Sequence, residues 1–232
     1  CQHCGLIFLN PMIADEELNN MYDEDTYYSY QDFKKKGNII KKLIGFMLIG
    51  NFHLREPDME YGSRKRFLDL GCGSGSVLYR MKERGWDVTG VEISRVATER
   101  GNEYGLNIFN GSLLEAHFES EAFDYIRSNH SFEHLTNPAE TLREIYRILK
   151  PNGKLFIGVP NTRSLPFLIF KEYWYYLGVP FHPYNYNDKN LSGLLEKNNF
   201  KVLRVRYVGN WQGLLGSIQI FLNRSSRKVS SE

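Results

Sequence analysis

The stretch Phe67-Leu68-Asp69-Leu70-Gly71-Cys72-Gly73-Ser74-Gly75-Ser76 constrains this chain more than any other. A short apolar run closes around an acid, glycines follow at three alternate positions, and Val77-Leu78-Tyr79-Arg80-Met81 then takes up helical spacing. The pattern predicts a strand, a tight turn and a helix. Glycine is needed where the chain reverses sharply and where a ligand must approach the backbone more closely than a Cβ allows. A loop of this kind at the C-terminal edge of a strand is expected to bind a ligand.

Spacing narrows the choice of ligand. The dinucleotide fingerprint G-x-G-x-x-G would place its third glycine at Ser76, whereas the glycine stands one position earlier, at Gly75. The NAD-linked oxidoreductase reading loses ground accordingly. The run Val88-Thr89-Gly90-Val91 ends in Glu92, 21 residues beyond Gly71, an acid at the tip of the next strand where it can take both hydroxyls of a neutral ribose.

These residues resemble the class I S-adenosylmethionine (SAM)-dependent methyltransferases. The first motif of that family is an acid, one residue and G-x-G-x-G, followed by an acid ending strand two, and Asp69, Gly71, Gly73, Gly75 and Glu92 fall on it. The resemblance implies SAM as cofactor, with S-adenosylhomocysteine as product. It also implies an α/β, Rossmann-like fold with a mostly parallel seven-stranded sheet, its last strand antiparallel, plus an N-terminal helical lid. The cofactor-binding positions it carries over are Asp69, Gly71, Cys72, Gly73, Gly75, Glu92, Ile93, Ser112, Leu113, Asn129 and His130, with Tyr28 as a residue that could fold over the ligand. Ser112 stands where the family often has an acid that meets the adenine amino group, which weakens that one contact.

Charge and composition bound the partners. With 29 basic and 27 acidic residues the formal net charge is +2, so no strong field steers the chain toward nucleic acid or an anionic membrane. A small-molecule acceptor is the expected partner. The 232 residues, 42% hydrophobic, suit one compact domain with additional elements, and three cysteines make no disulfide framework. No signal peptide or apolar run of spanning length is visible, which makes a cytoplasmic location the expectation. A chain that begins on Cys1 rather than Met reads as a fragment.

The division expected is an N-terminal knuckle and helical lid over 1–60, a methyltransferase domain over 61–224 and a polar tail over 225–232. Cys1-Gln2-His3-Cys4 is a C-x-x-C knuckle, half of a tetrahedral zinc site, and resembles the second pair of a zinc ribbon found ahead of some methyltransferases. No bound metal is expected from that half alone. Residues 14–21 read as a helix with acids in its first turn, and Phe33 to Leu54 as a long helix packing on the domain as a lid, a membrane-surface helix being the alternative. Tyr22 to Tyr30 is either a solvated loop with aromatic anchors or a cover for the cofactor.

Strands are expected at 66–70, 87–91, 106–109, 123–128 and 154–159, with helices at 75–84, 94–104 and 138–149. Asp188 is expected to N-cap a helix running to Asn198, and Lys201–Val208 with Ser217–Leu222 to close the sheet as a hairpin.

Two further stretches carry chemistry. Ser128-Asn129-His130-Ser131-Phe132-Glu133-His134 ends the fourth strand of the domain in a polar cluster before Pro138. It resembles the Glu-His motif of the same family, although Glu133 or His134 could equally cap the next helix. The segment at about 162–184, with Phe167, Tyr173, Trp174, Tyr175, Tyr176, Phe181, His182 and Tyr184, is too aromatic for an ordinary connection. It reads as part of an acceptor pocket with Glu133, Tyr173 and Tyr184 touching substrate, a homodimer contact or membrane-touching face being the other reading. If the acceptor is a hydroxyl, His130, His134 and His182 are the candidate general bases. The function expected is methyl transfer to a small molecule such as a sugar, lipid or secondary metabolite, the alternative being a SAM-binding module without catalysis.

Overall fold

The computed structural model describes residues 1–14, 17–18, 65–209 and 211–223. The expected lid helix over 33–54, the tyrosine-rich loop with Tyr28 and the polar tail lie outside the described residues. Of the helix expected over 14–21, Glu17 and Leu18 are helical and Leu18 N donates to Ala14 O.

Strand β2 (Arg66–Leu70) is the central strand of the five-stranded sheet. Phe67 and Leu68 are both fully buried although they point to opposite faces, as a strand covered on both sides requires. It is flanked by β3 (Asp87–Glu92) and β5 (Phe123–Asn129), and beyond these lie β4 (Ile108–Asn110) and β6 (Leu149–Gly158). The order is β4-β3-β2-β5-β6 and every pairing is parallel. The crossovers are α1 (Ser76–Glu83), α2 (Arg95–Glu103) and α3 (Pro138–Ile148), the last with proline at its first turn as expected. The chain moves outward in one direction from β2 to β4 and in the other from β5 to β6, which opens a crevice at the C-terminal ends of β2 and β5.

The two faces of the sheet carry separate cores. On one, Phe67 stacks on Tyr125 at 5.7 Å and both meet Trp86 edge-on, with Leu78 and Met81 of α1 closing over them. On the other, Leu68, Leu70 and Ile126 pack on Phe132 and on Leu142, Ile145 and Ile148 of α3. Each of those three fully buried α3 residues stabilises by roughly 2 kcal/mol relative to exposure. The Pro151-Asn152-Gly153 turn is present as a bulge: Phe123 faces Leu149 and Tyr125 faces Lys154, with Asn152 at φ 64 in the loop between.

Three expectations are corrected. Five strands, not seven, form the parallel sheet among the described residues, and no antiparallel strand closes it. Lys201–Val208 has no ladder partner, and Leu203 and Tyr207 are 75% and 69% exposed. Ser217–Leu222 belongs instead to helix α6 (Trp211–Leu222). Its contacts repeat at helical rather than strand spacing: Gly213 lies against Tyr176, Gly216 against Tyr175, and buried Ser217 Oγ accepts from Tyr175 N at 2.9 Å. The cap of helix α5 (Asp188–Lys197) is Asn187, not Asp188. Asn187 Oδ1 accepts from Lys189 N and Asn190 N while Asn190 Oδ1 accepts from Asn187 N, a reciprocal box that leaves Asp188 to pair with Arg163.

The aromatic insertion forms α4 (Leu165–Phe170) and two short 3-10 turns, Lys171–Tyr173 and Tyr175–Leu177. It then returns through β7 (Tyr184–Asn185), which pairs antiparallel with β1 (Ile7–Phe8). The N-terminal segment is thereby tied to the insertion, with Cys1 and Cys4 exposed in the turn ahead of it.

Candidate active site

The glycine loop leaves β2 with all three glycines in the left-handed region, at φ 66, 56 and 86 for Gly71, Gly73 and Gly75. The first and third are also required by the protein's own packing. A Cβ on Gly71 would lie 2.4 Å from Ser131 Cβ, and one on Gly75 would lie 2.3 Å from Leu106 Cδ1. Gly71 N donates to Val91 O at 2.8 Å, fastening the loop to the end of β3.

There Glu92 is 2% exposed, its Oε2 accepting from Gly73 N at 2.8 Å and its Oε1 from Ser94 N at 3.0 Å. Burial pushes its carboxyl up and the Ser94, Gly73 and Ile93 amides oppose this, with a net rise. Beneath the loop Asp69 accepts from Arg127 Nη1 at 2.8 Å, a nearly buried pair between register neighbours that holds β2 to β5. Burial, then Asp69 and Glu92, push the Cys72 thiol well above its usual range, so it lines the loop as a neutral group.

Across the crevice, Ser131 Oγ donates to Leu70 O at 2.7 Å and lies 2.6 Å from Ser128 Oγ, locking the end of β5 to the glycine loop. The next turn, Phe132–His134, is anchored by fully buried Phe132 packed on Tyr186 at 5.6 Å. That anchor leaves Glu133 at 1% exposure, with neither carboxylate oxygen in a hydrogen bond. His130, itself at φ 53, brings Nδ1 to 3.4 Å from Glu133 Oε1, a close contact rather than a formed hydrogen bond, and stacks on Tyr176.

His182 comes from the insertion to meet His134 edge-to-face, ring centroids 4.6 Å apart. His134 Nδ1 donates to Phe181 O at 2.9 Å and His182 Nδ1 to Tyr176 O at 3.0 Å, which fixes both rings in the tautomer whose lone pair is on Nε2. Burial lowers both imidazoles against the pull of Glu133, His182 to about 4, so both are neutral at neutral pH. Burial would raise the Glu133 carboxyl, but other contacts, that with His130 foremost, outweigh this and leave it lowered on balance.

The predicted residues thus divide into groups. Glu92 and the glycines converge at one side of the crevice, and Asn129, His130, Glu133, His134 and His182 at the other. Asn129 Oδ1 is buried without a hydrogen-bond partner. Ser112 is occupied with Glu115 in a local turn, Leu113 belongs to the core and Ile93 is 42% exposed. Tyr173 packs on Phe221 of α6 at 5.5 Å and Tyr184 on Tyr186 at 6.2 Å. A broad cleft along the open edge of β6 reaches Asn129, His130, Gly158 and Tyr176. Sequence reasoning did not single out Tyr176, Ser131, Arg127 or Ser94. Arg127 was legible in principle, since it stands in register with the buried Asp69 on the adjacent parallel strand.

A family model described as a methyltransferase domain matches residues 51–205, two thirds of the chain. The chain belongs to that family. Family and fold together imply SAM as the cofactor.

A ubiquinone biosynthesis O-methyltransferase from Hahella chejuensis is 32% identical over 111 residues, covering 45% of this chain and 47% of that protein. The protein of the same name from Pseudomonas entomophila is 31% identical over 112 residues, covering 45% and 48%. The chain spans about half the length of the curated relatives it matches. Among solved structures, a SAM-dependent methyltransferase from Methanosarcina mazei superposes with a TM-score of 0.55 at 20% identity, covering 66% of this chain and 88% of that one. A SAM-dependent methyltransferase from Thermotoga maritima, described as a possible histamine N-methyltransferase, gives 0.51 at 20% identity, covering 71% and 78%. These likenesses show the fold. Among the described residues no helix is long and apolar enough to cross a membrane.

Proposed function

We propose that the protein transfers the methyl group of SAM to a small-molecule acceptor seated between the Glu133 turn and the aromatic insertion. The observation that carries the reading is the division of labour at the sheet's C-terminal edge: a glycine loop and a buried carboxylate on one side, a histidine and glutamate cluster on the other. Ser131 couples the two sides, touching the position a Gly71 Cβ would fill.

The residues fit the cofactor. Glu92 is held by two backbone amides with its remaining lone pairs available to ribose hydroxyls, and Asn129 Oδ1 is a buried acceptor of the kind an α-ammonium group needs. When bound, SAM supplies a sulfonium methyl that is already electrophilic. The protein's task is therefore alignment and exclusion of water. The neutral imidazoles of His134 and His182, each orientated by a backbone carbonyl, and the neighbouring His130 surround the place where an acceptor proton would be taken up. Aromatic faces such as Tyr176 favour a cation nearby.

Calorimetric titration with SAM, S-adenosylhomocysteine and NAD tests the cofactor, and methyl transfer over a panel of sugar, lipid and phenolic acceptors tests the reaction. Tight binding of the first two and not the third, with turnover of at least one acceptor, is expected. Binding of NAD in preference to SAM would overturn the reading, and SAM binding with no turnover would reduce it to a binding module.

A further inference from the structure

Glu133, His134 and His182 each present one ligand atom, and the three atoms lie within 4.8 Å of one another. Among the described residues this is the group that could hold a metal ion, and neither Cys1 nor Cys4 is part of it. Three features of its chemistry point the same way.

Both histidines use Nδ1–H on a backbone carbonyl, Phe181 O for one and Tyr176 O for the other. That is the outer hydrogen bond by which metal-ligating imidazoles are held in one tautomer and one orientation, with Nε2 as the donor atom. Glu133 is 1% exposed and neither of its oxygens is hydrogen-bonded. A buried carboxylate costs several kcal/mol to desolvate unless it is paired or coordinates a metal, and here the contact with His130 Nδ1 is 3.4 Å long and forms no hydrogen bond. Finally, the ligands come from two elements with independent anchors. Glu133 and His134 lie on the turn fixed by Phe132, and His182 lies on the insertion, where its ring is packed against the position a Gly178 Cβ would occupy, at 2.3 Å.

We infer that Glu133, His134 and His182 form a binding site for a divalent transition-metal ion, with Zn²⁺ or Co²⁺ as the class, in an N₂O donor set. Two imidazoles and one carboxylate suit borderline cations rather than Ca²⁺ or Mg²⁺, which prefer all-oxygen cages. Three protein ligands leave at least one coordination position open, the arrangement of catalytic rather than structural sites. Ligand atoms in a tetrahedral zinc site lie about 3.4 Å apart, so closing the observed spread requires side-chain shifts of about 1 Å. Resting on the proposed methyl transfer, the open position is where an acceptor oxygen would be held; with both Nε2 lone pairs on the metal, the acceptor proton would pass to His130 rather than to His134 or His182.

The test uses the full chain with Cys1 and Cys4 replaced by serine, so that thiolates contribute nothing. Co²⁺ binding is followed by its visible d–d absorption and Zn²⁺ by competition against bound Co²⁺. One equivalent of Co²⁺ is expected, with bands of nitrogen–oxygen ligation and no thiolate charge transfer. His182→Ala and His134→Ala should each weaken binding by at least about 100-fold, the scale on which even outer-shell changes reach 10- to 100-fold. Glu133→Gln should do likewise, and SAM binding by calorimetry reports whether each variant is folded independently of the metal. Should Glu133→Gln fail to fold, the two histidine variants decide. Absence of a stoichiometric Co²⁺ complex, or one that survives loss of both His134 and His182, overturns the inference. Failure of SAM to bind while the Co²⁺ complex persists would sink the proposed function and leave the metal site standing.

Discussion

Replacing Glu92 by alanine removes the buried carboxylate that fastens the glycine loop and that, on the proposed function, takes the ribose hydroxyls of SAM. Its two oxygens accept from Gly73 N and Ser94 N at 2.8 and 3.0 Å, in a position 2% exposed to solvent. A hydrogen bond to a charged group contributes about 1.5–3 kcal/mol. Loss of the ribose contact should therefore raise the SAM dissociation constant about 10- to 150-fold at 1.4 kcal/mol per decade.

Glu92→Gln separates the two roles. The amide keeps one oxygen but must turn its NH₂ toward either Gly73 N or Ser94 N, donor against donor, so binding should fall between wild type and Glu92→Ala. Because burial holds the Glu92 carboxyl above the ordinary carboxylate range, the ionised acceptor is lost on acidification earlier than an exposed glutamate would be. SAM affinity of the wild type should fall with pH accordingly, and that of Glu92→Gln should not. The sign for stability is the reverse. A raised native pKa means the folded state holds the proton more tightly, so the contribution is present below the unfolded pKa and lost as pH rises through the folded one. Isothermal calorimetry at several pH values measures the first effect and denaturant titration the second. A dissociation constant unchanged in Glu92→Ala would refute the placement of the ribose.

Gly71→Ala should cost roughly 2–4 kcal/mol in urea unfolding, from the left-handed φ and the 2.4 Å approach to Ser131 Cβ, and Ser131→Gly in the same chain should restore part of it; no restoration would show that the clash is not the cause. Arg127→Met should cost roughly 3–5 kcal/mol by leaving Asp69 charged and buried, and adding Asp69→Leu should recover most of that; a loss below about 1 kcal/mol would mean that water reaches the pair. Gly213→Val places a Cβ 2.3 Å from the Tyr176 ring, the ring that stacks on His130, so KM for the acceptor should rise while SAM affinity is unchanged; a loss of SAM binding instead would mean that α6 supports the cofactor half.

How far the sequence reached depended on whether a residue's partner lay nearby in the chain or was fixed by a strong local rule. The alternation from 66 to 158 was readable because each strand and helix carries its own period, and the glycine loop because its backbone conformation admits few residues. Glu92 was found for the same reason, as an acid closing a strand. The hairpin of Lys201–Val208 with Ser217–Leu222 was misread because Ser217-Ile218-Gln219-Ile220-Phe221 alternates polar and β-branched residues enough to pass for a strand, whereas what fixes the helix there is the close seating of Gly213 and Gly216 on Tyr176 and Tyr175. Nothing local announces a contact across some 40 residues. Likewise the tautomers of His134 and His182 are set by carbonyls at 181 and 176, which no spacing rule reveals.

The two halves of the candidate site are therefore supported by different kinds of structure. Glu92 and the glycine loop are fastened by backbone amides and by parallel strands in register, so their geometry follows from the sheet itself. His182 and Tyr176 hang on the insertion, and the insertion is seated by α6 through two glycines and the buried hydroxyl of Ser217, which donates to Gly213 O and accepts from Tyr175 N. On the proposed function, changes along α6 would shift the insertion while leaving the glycine loop and Glu92, which are held by the sheet, in place. A methyl transfer that depends on alignment is sensitive to such shifts. Acceptor choice is accordingly expected to be governed as much by residues 213–217, which seat the insertion, as by His134 and His182, and cofactor affinity to be indifferent to both.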